Sequence, residues 1–312
     1  MKMTLLGTGT SHGIPCIACD CEVCRSKDRH DKRLRCSAFV TNKNKNGTES
    51  HILIDIGPEF RIQALKYKIK NVDAILLTHS HADHLHGLDD IRIFSHTKSS
   101  SNLTNPEKGK ETEGLGIAIY ANKPTIKDVH SRFSYIFKET QLGGGKPKIR
   151  LENLQVFEES MPLEFGDLKI LPIPMRHGTV KTSGWLLSQD LKDGTKHSIA
   201  YLTDCSEIKE KNIEKIIANA GKLEHLVIDG LREATHATHF NFLQAMAVAE
   251  KLKPTHTWFI HICHAHSHEQ IKQYVAEHLK EFPELNKIVL EGGSVEPAYD
   301  GLKLFVKETK KY

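Results

Sequence analysis

Three histidines and one aspartate are packed into six residues of Thr78-His79-Ser80-His81-Ala82-Asp83-His84, directly behind the apolar run Val72-Asp73-Ala74-Ile75-Leu76-Leu77. Such a run predicts a buried strand, which puts the cluster on the loop at that strand's C-terminal end. Neutral imidazole and carboxylate are common protein ligands of zinc, manganese, iron and nickel. Alternation along an extended turn aims His79 and His81 to one side and turns Asp83 and His84 to another. One segment can then serve two adjacent ions. A histidine-rich surface loop is the plainer alternative, but it explains neither the order of the residues nor the strand before them.

Composition narrows the class. At 312 residues the chain can bury a full core, and its 39% apolar and 26% charged residues suit an ordinary globular protein. A formal charge of +4 is too small to point to nucleic acid or a membrane surface. No apolar stretch reaches the roughly 20 residues that cross a bilayer. Met1 runs straight into strand-like sequence without a signal-peptide core, so the expected setting is cytoplasmic. Seven cysteines, three of them crowded into Cys19-Asp20-Cys21-Glu22-Val23-Cys24, suit metal binding in a reducing cytosol better than a disulfide framework.

The chain opens with a strand at Met3–Leu6 and the turn Gly7-Thr8-Gly9-Thr10-Ser11-His12-Gly13, which lacks both a dinucleotide fingerprint and a P-loop lysine. Strands are expected at Ser37–Thr41 and Ile52–Ile56, then a helix from Pro58 to about Lys68. A helix over Leu85–Ser95 follows the histidine loop, and the polar stretch 95–116 reads as a flexible insertion. Later strands are expected at Leu168–Pro174, Gly184–Ser188, His197–Thr203, Leu226–Asp229, Thr257–Ile260 and Ile288–Leu290. Helices are expected at Ile208–Ala220, Phe240–Lys251 and Glu269–Lys280. Each half begins with strands and moves into strand–helix alternation. That pattern predicts two sheets packed together with helices outside, in one domain spanning 1–312.

Three more polar residues end apolar strands. His177 follows Pro172-Ile173-Pro174-Met175-Arg176, Asp204 follows Ala200-Tyr201-Leu202-Thr203, and His261 follows Trp258-Phe259-Ile260. Singly, each fits a strand-end cap or a hydrogen-bonded core residue. Together with the loop, they supply a donor set for two metals.

These residues resemble the metallo-β-lactamase superfamily, whose His-x-His-x-Asp-His motif stands here at 79–84, with His177, Asp204 and His261 following in the family's order. The resemblance spans nearly the whole chain. It implies a four-layer αβ/βα sandwich of the metallo-β-lactamase fold, α+β to α/β in class, with two divalent metal ions at one edge. By that likeness His79, His81 and His177 hold one ion, Asp83, His84 and His261 hold the other, and Asp204 bridges them. β-Lactamases of this fold usually lack the full aspartate-containing set, which sets the antibiotic hydrolases aside. The nearer resemblance is to phosphoribosyl cyclic phosphate phosphodiesterases, matched by Gly7-Thr8-Gly9 and by Cys19, Cys21 and Cys24. Z-type ribonucleases, which trim tRNA 3′ ends, are similar in using this core for phosphodiester cleavage.

The phosphodiesterase likeness also implies a structural zinc on Cys19, Cys21 and Cys24, with His264 as fourth ligand, three residues after His261. Structural zinc is nearly always four-coordinate, and Cys16 is the other candidate donor. Four ligands within nine residues would strain the loop around one ion, whereas His264 would tie that loop to the metal edge. Both assignments, and a loop without metal, stay open at this level. Cys36, Cys205 and Cys263 read as buried small residues.

Two ions that share a water lower its pKa, and a metal-bridging hydroxide is the expected nucleophile at phosphorus. Thr235-His236-Ala237-Thr238-His239-Phe240 offers two imidazoles to protonate the departing alkoxide. The phosphodiesterase likeness places this acid 22 residues before the last metal histidine, which is His239. His236 fits the His-x-Thr pattern of the ribonucleases, and either histidine can instead cap the next helix. His239, His236 and Asp83 form the expected catalytic group. By the same likeness Asp55 orients a metal ligand. Arg35, Arg92 and Arg176 are candidate phosphate contacts, and His86 is a neighbour of the ligands at a helix start.

The reading is a binuclear phosphodiesterase for a small cyclic ribose or nucleotide-like phosphodiester, with zinc, manganese, nickel or iron as suitable metals. Hydrolysis of another ester or a lactone on the same metals is the alternative. So is tRNA processing, although no long basic arm for gripping tRNA is visible. A non-catalytic metal-binding protein is a third class, and the intact ligand set argues against it. The expected partner is a small phosphodiester, without a membrane, with nucleic acid disfavoured and a homodimer left open.

Overall fold

A computed structural model describes residues 1–97, 116–139, 145–154 and 162–306. Its first half forms strands β1 (Lys2–Gly7), β2 (Ser37–Lys43), β3 (Glu49–Ile54), β4 (Ala74–Leu76), β5 (Ile117–Ala121) and β6 (Ile149–Asn153). The second half adds β7 (Leu163–Phe165), β8 (Leu168–His177), β9 (Val180–Asp190), β10 (Lys196–Leu202), β11 (Lys222–Asp229), β12 (His256–Ile260) and β13 (Ser294–Pro297). The last strand, β14 (Lys303–Phe305), returns to pair with β1. Two mixed seven-stranded sheets result, in the orders β14-β1-β2-β3-β4-β5-β6 and β13-β12-β11-β10-β9-β8-β7.

Alternation along the strands stacks these sheets. Met3, Leu5, Ile52, Ile54, Ala74 and Leu76 point inward from the first sheet. There they meet Leu168, Ile170, Trp185, Leu187, Ile199 and Tyr201 from the second in one buried cluster. Residues on the outer faces are also apolar, so each sheet needs a second cover. The helices are α1 (Glu22–Arg25), α2 (Phe60–Lys66), α3 (Ala82–Leu85), α4 (Arg92–Thr97), α5 (Lys123–Arg132), α6 (Ser134–Phe137), α7 (Glu210–Ala220), α8 (Phe242–Leu252), α9 (His268–His278) and α10 (Pro283–Leu290). Leu53 and Ile75 pack under Phe60, Leu85 and Val129 on one side. Leu186, Leu202 and Ile228 pack under Ile216, Phe242 and Ile271 on the other. This is the four-layer sandwich that the sequence resemblance implies.

Two local expectations change. The single helix expected over Leu85–Ser95 is broken into α3, a tight 3-10 turn at Leu88–Ile91, and α4. Gly87 makes the break: its N–H bonds to the Ile56 carbonyl at 2.9 Å, and an added Cβ would come within 2.1 Å of the Gly57 carbonyl oxygen. The strand expected at Ile288–Leu290 is instead the end of α10. Pro283 in its first turn presets helical φ, and Leu285 supplies the buried face. The strand falls at Ser294–Pro297. Of the expected insertion at 95–116, residues 98–115 lie outside the described residues. No described helix is long and apolar enough to cross a membrane.

Candidate metal centre

The candidate ligands gather where strands end. His79 and His81 lie just beyond β4, but Asp83 and His84 sit on the helical turn α3 rather than on a continued extended turn. His177 closes β8, Asp204 lies two residues beyond β10, and His261 comes directly after β12. Asp55, Asp204 and His261 adopt left-handed backbone, with φ of 57°, 53° and 58°. That conformation is unusual for residues bearing a Cβ, and here it turns each chain sharply at a strand end.

Donor atoms of His79, His81 and His177 all lie within 4.8 Å of one another, as do those of Asp83, His84, Asp204 and His261. Asp204 joins the two groups. Its Oδ1 is 3.3 Å from His261 Nε2 and 3.9 Å from His79 Nε2, and its Oδ2 is 3.1 Å from His84 Nε2. His79, His84, Asp204 and His261 are each at most 2% exposed. The Nε2 atoms of His79, His84 and His261 are buried without a hydrogen-bond partner. Orphaned polar atoms cost about 1–3 kcal/mol each, so a converging set beside two carboxylates fits divalent ions.

The surrounding residues fix these rings. Asp55, fully buried beyond β3, accepts from His84 Nδ1 at 2.7 Å and from the Thr78 N–H and hydroxyl at 2.8 Å each. His84 Nε2 is thereby left to face the site. His177 Nδ1 bonds to the Thr238 carbonyl at 2.7 Å in the same manner. Gly57 lets the loop seat closely, because a Cβ there would come within 2.1 Å of the Asp83 carbonyl oxygen.

Electrostatics follow from burial and from the paired charges. Burial, together with the neighbouring His84, pushes His79 well below the usual imidazole range, and burial lowers His177 too. Burial also opposes charge on His84, but Asp204, Asp83 and Asp55 outweigh it and hold its proton well above that range. His261 is raised against burial by Asp204 and Asp83. Burial resists ionisation of Asp204 and Asp83 as well, yet the facing histidines hold both carboxyls below their ordinary range. The carboxylates are already in ligand form, and a metal has only imidazole protons to displace.

His239 is buried beside these groups, with its ring centroid 4.4 Å from those of both His177 and His261. Its Nδ1 is 2.7 Å from Asp229 Oδ2, an oxygen that also accepts the Cys205 N–H at 2.7 Å. Asp229 escapes the sequence reading. The signal that marks Asp204, an aspartate closing an apolar strand, finds it when applied to Leu226–Asp229. His236 is exposed at the rim, with its ring centroid 5.3 Å from that of His239. Neither histidine caps α8, because Asn241 does so in a capping box with Gln244.

The cysteine loop forms a second donor group. Sulfurs of Cys19, Cys21 and Cys24 lie 3.3, 3.4 and 3.7 Å from His264 Nδ1. Cys16 stands outside it, its thiol on the Gly13 carbonyl at 3.2 Å and its N–H 3.3 Å from Cys24 Sγ. Cys21 caps α1, and the Cys24 N–H, with help from His264, draws its thiol down to about 6. Three sulfurs and one imidazole can hold a structural zinc. Backbone bonds of Ile262 with Thr8 and Thr10, 3.1 Å each, join this region to the metal edge.

Other candidates are placed elsewhere. His86 ends α3, exposed, against the Phe133 ring. Arg35 is paired with Glu59, while Arg92 and Arg176 donate to the carbonyls of Gly145 and Thr179.

Fold and donor set together define a metallo-β-lactamase-fold domain with a candidate metal centre at one sheet edge. The chain belongs to the metallo-β-lactamase superfamily, since the family model described as a β-lactamase superfamily domain matches residues 50–262. It is similar to a diphosphatase of the PhnP family, at 35% identity over 97% of this chain and 96% of that one, with a TM-score of 0.71. It is also 31% identical, over 310 residues, to an octanoyltransferase of Porphyromonas gingivalis (strain ATCC BAA-308 / W83). That match covers 99% of this chain and 52% of the other, so the chain spans about half the length of that relative. The short form of human tRNase Z shares the fold at 16% identity and a TM-score of 0.60, with 99% of this chain and 100% of that one covered.

Proposed function

We propose that the chain is a binuclear phosphodiesterase acting on small phosphodiesters of the cyclic ribose or nucleotide-like kind. The observation that carries this reading is Asp204, set between two histidine groups in which the buried Nε2 atoms of His79, His84 and His261 lack a hydrogen-bond partner. The 35% identity to a PhnP-family diphosphatase supports the phosphorus chemistry.

In this reading His79, His81 and His177 would hold one ion and Asp83, His84 and His261 the other, with Asp204 within reach of both groups. Zinc, manganese, nickel and iron all suit such donors. Bound there, two divalent ions supply an acidified water and positive charge for the phosphoryl oxygens. Asp55 and the Thr238 carbonyl hold His84 and His177 in register. His239 is the proton donor to the leaving oxygen, since Asp229 engages Nδ1 and leaves Nε2 for that task. His236, out on the rim, is the second choice. Cys19, Cys21, Cys24 and His264 hold a structural zinc that clips the N-terminal loop to the metal edge.

The match to half of an octanoyltransferase supports a second reading, hydrolysis of an acyl ester on the same metals. Rates on bis(p-nitrophenyl) phosphate and on p-nitrophenyl octanoate, with one metal-loaded preparation, separate the two. Preference for the diester supports the first reading, and turnover of the octanoate alone replaces it with the second.

A further inference from the structure

One surface feature lies outside the proposed chemistry. Between α2 and the stretch running from Asp89 into α4 lies a groove of about 420 Å³, with Phe60, Ala64, Leu65, Ile69 and Phe94 in its apolar lining. Leu65 and Ile93, which both line it, are each 63% exposed. Two large aliphatic side chains left in water beside one groove are apolar surface whose burial by a partner is favourable. Arg61, Lys68, Lys70 and Arg92 line the same groove, against Asp89 and Asp90. Asp89 is occupied by the Tyr135 hydroxyl at 2.6 Å. Among the described residues Arg61, Lys68 and Lys70 have no ion pair.

We infer that this groove docks an acidic amphipathic helix of a partner protein. Apolar residues at helical spacing fill the floor, and flanking carboxylates meet the cations at the rim. A second copy of this chain is disfavoured, because a two-fold contact through the patch sets its cations against themselves. A bilayer is the occupant that the vesicle arm of the test separates from a partner helix. The inference does not depend on which bond the metals cleave.

The test uses a fluorescein-labelled peptide of about 16 residues, since shorter helices are marginal in water. It carries leucines at i, i+3, i+4 and i+7 and glutamates at the outward positions. A second peptide keeps the leucines and replaces glutamate by lysine. Anisotropy against the full, metal-loaded chain should show the acidic peptide binding at least about tenfold tighter than the basic one, with affinity falling as salt rises. Arg61→Glu with Lys68→Glu should weaken it about tenfold or more, and Leu65→Asp should do the same, with melting temperature and diesterase rate unchanged. The milder pair Lys68→Ala and Lys70→Ala repeats the test should the reversed charges disturb folding. Equal binding of both peptides, or no binding of either, overturns the inference. So does Leu65-dependent sedimentation with phosphatidylglycerol-containing vesicles, or a Leu65-dependent dimer, in the absence of preferential binding of the acidic peptide.

Discussion

Asp229 Oδ2 and His239 Nδ1 are 2.7 Å apart, and both residues are buried, with Asp229 fully so. The carboxylate orients the ring and leaves Nε2 for proton donation. Asp229→Asn and His239→Ala should therefore slow substrates with poor leaving groups most. On a cyclic ribose phosphate we expect kcat to fall by about 10²–10⁴, the usual worth of general-acid assistance. On bis(p-nitrophenyl) phosphate, whose phenolate leaves unaided, losses should stay within a few-fold. Similar losses on both substrates would assign the pair a purely structural role. If only His236→Ala shows the leaving-group dependence, the donor is His236.

Asp55→Ala removes the acceptor for His84 Nδ1 and for both Thr78 donors. Loss of such an outer partner typically costs about 10–100-fold in metal affinity. Stability should fall as well, by about 1–3 kcal/mol for each donor left buried and unpaired. Chelator competition reads the first effect and denaturant melts the second. Unchanged metal affinity would show that His84 needs no such support.

Cys21→Ser separates the two donor groups. It should lower the melting temperature by about 10 °C, corresponding to several kcal/mol in a chain of this size, while low-temperature turnover changes little. Equal melting temperatures, with zinc supplied to both proteins, would remove the structural clip.

Acid stability should depend on His225, far along β11 from the metal edge. Burial pushes its imidazole down to about 4, against a smaller upward pull from the Phe305 carbonyl. The neutral ring is satisfied, with Trp258 Nε1 donating to Nδ1 and Nε2 facing that carbonyl, each at 3.2 Å. Below about 6.5 the unfolded chain binds the proton and the folded chain does not, so this contribution is complete above 6.5 and is lost as pH falls toward 4. Its size is about 3 kcal/mol. The stability difference between wild type and His225→Gln, followed by urea melts across this range, should shrink by that order on acidification. A difference that stays constant with pH would contradict the assignment.

Much of the site is visible in the sequence because its donors follow apolar strands. The run before His79 and the strands before His177, Asp204 and His261 are long enough to declare themselves, and a polar residue at their ends stands out. Asp229 satisfies the same rule, yet a lone aspartate after a strand is also an ordinary cap, and only its distance to His239 separates the two. The helical turn at Asp83 and His84 is hidden because four residues are too few for a period. At Ile288-Val289-Leu290 the apolar run fits strand or helix equally, and the Pro283 and Leu285 positions decide it. Tertiary pairing of the cysteine loop with His264, 240 residues beyond Cys24, is beyond any local pattern.

The central claim is that hydrolysis needs two metals joined through Asp204. Its most direct test is metal titration of chelator-stripped protein, with bis(p-nitrophenyl) phosphate turnover and elemental analysis on the same samples. We predict no turnover without metal and recovery as loading approaches about three ions per chain, two at the histidine–aspartate edge and one at the cysteine loop. Asp204→Ala should remain folded and keep the cysteine-loop ion, yet recover no activity at any loading. Full turnover by metal-free protein, or wild-type turnover by Asp204→Ala, would contradict the account.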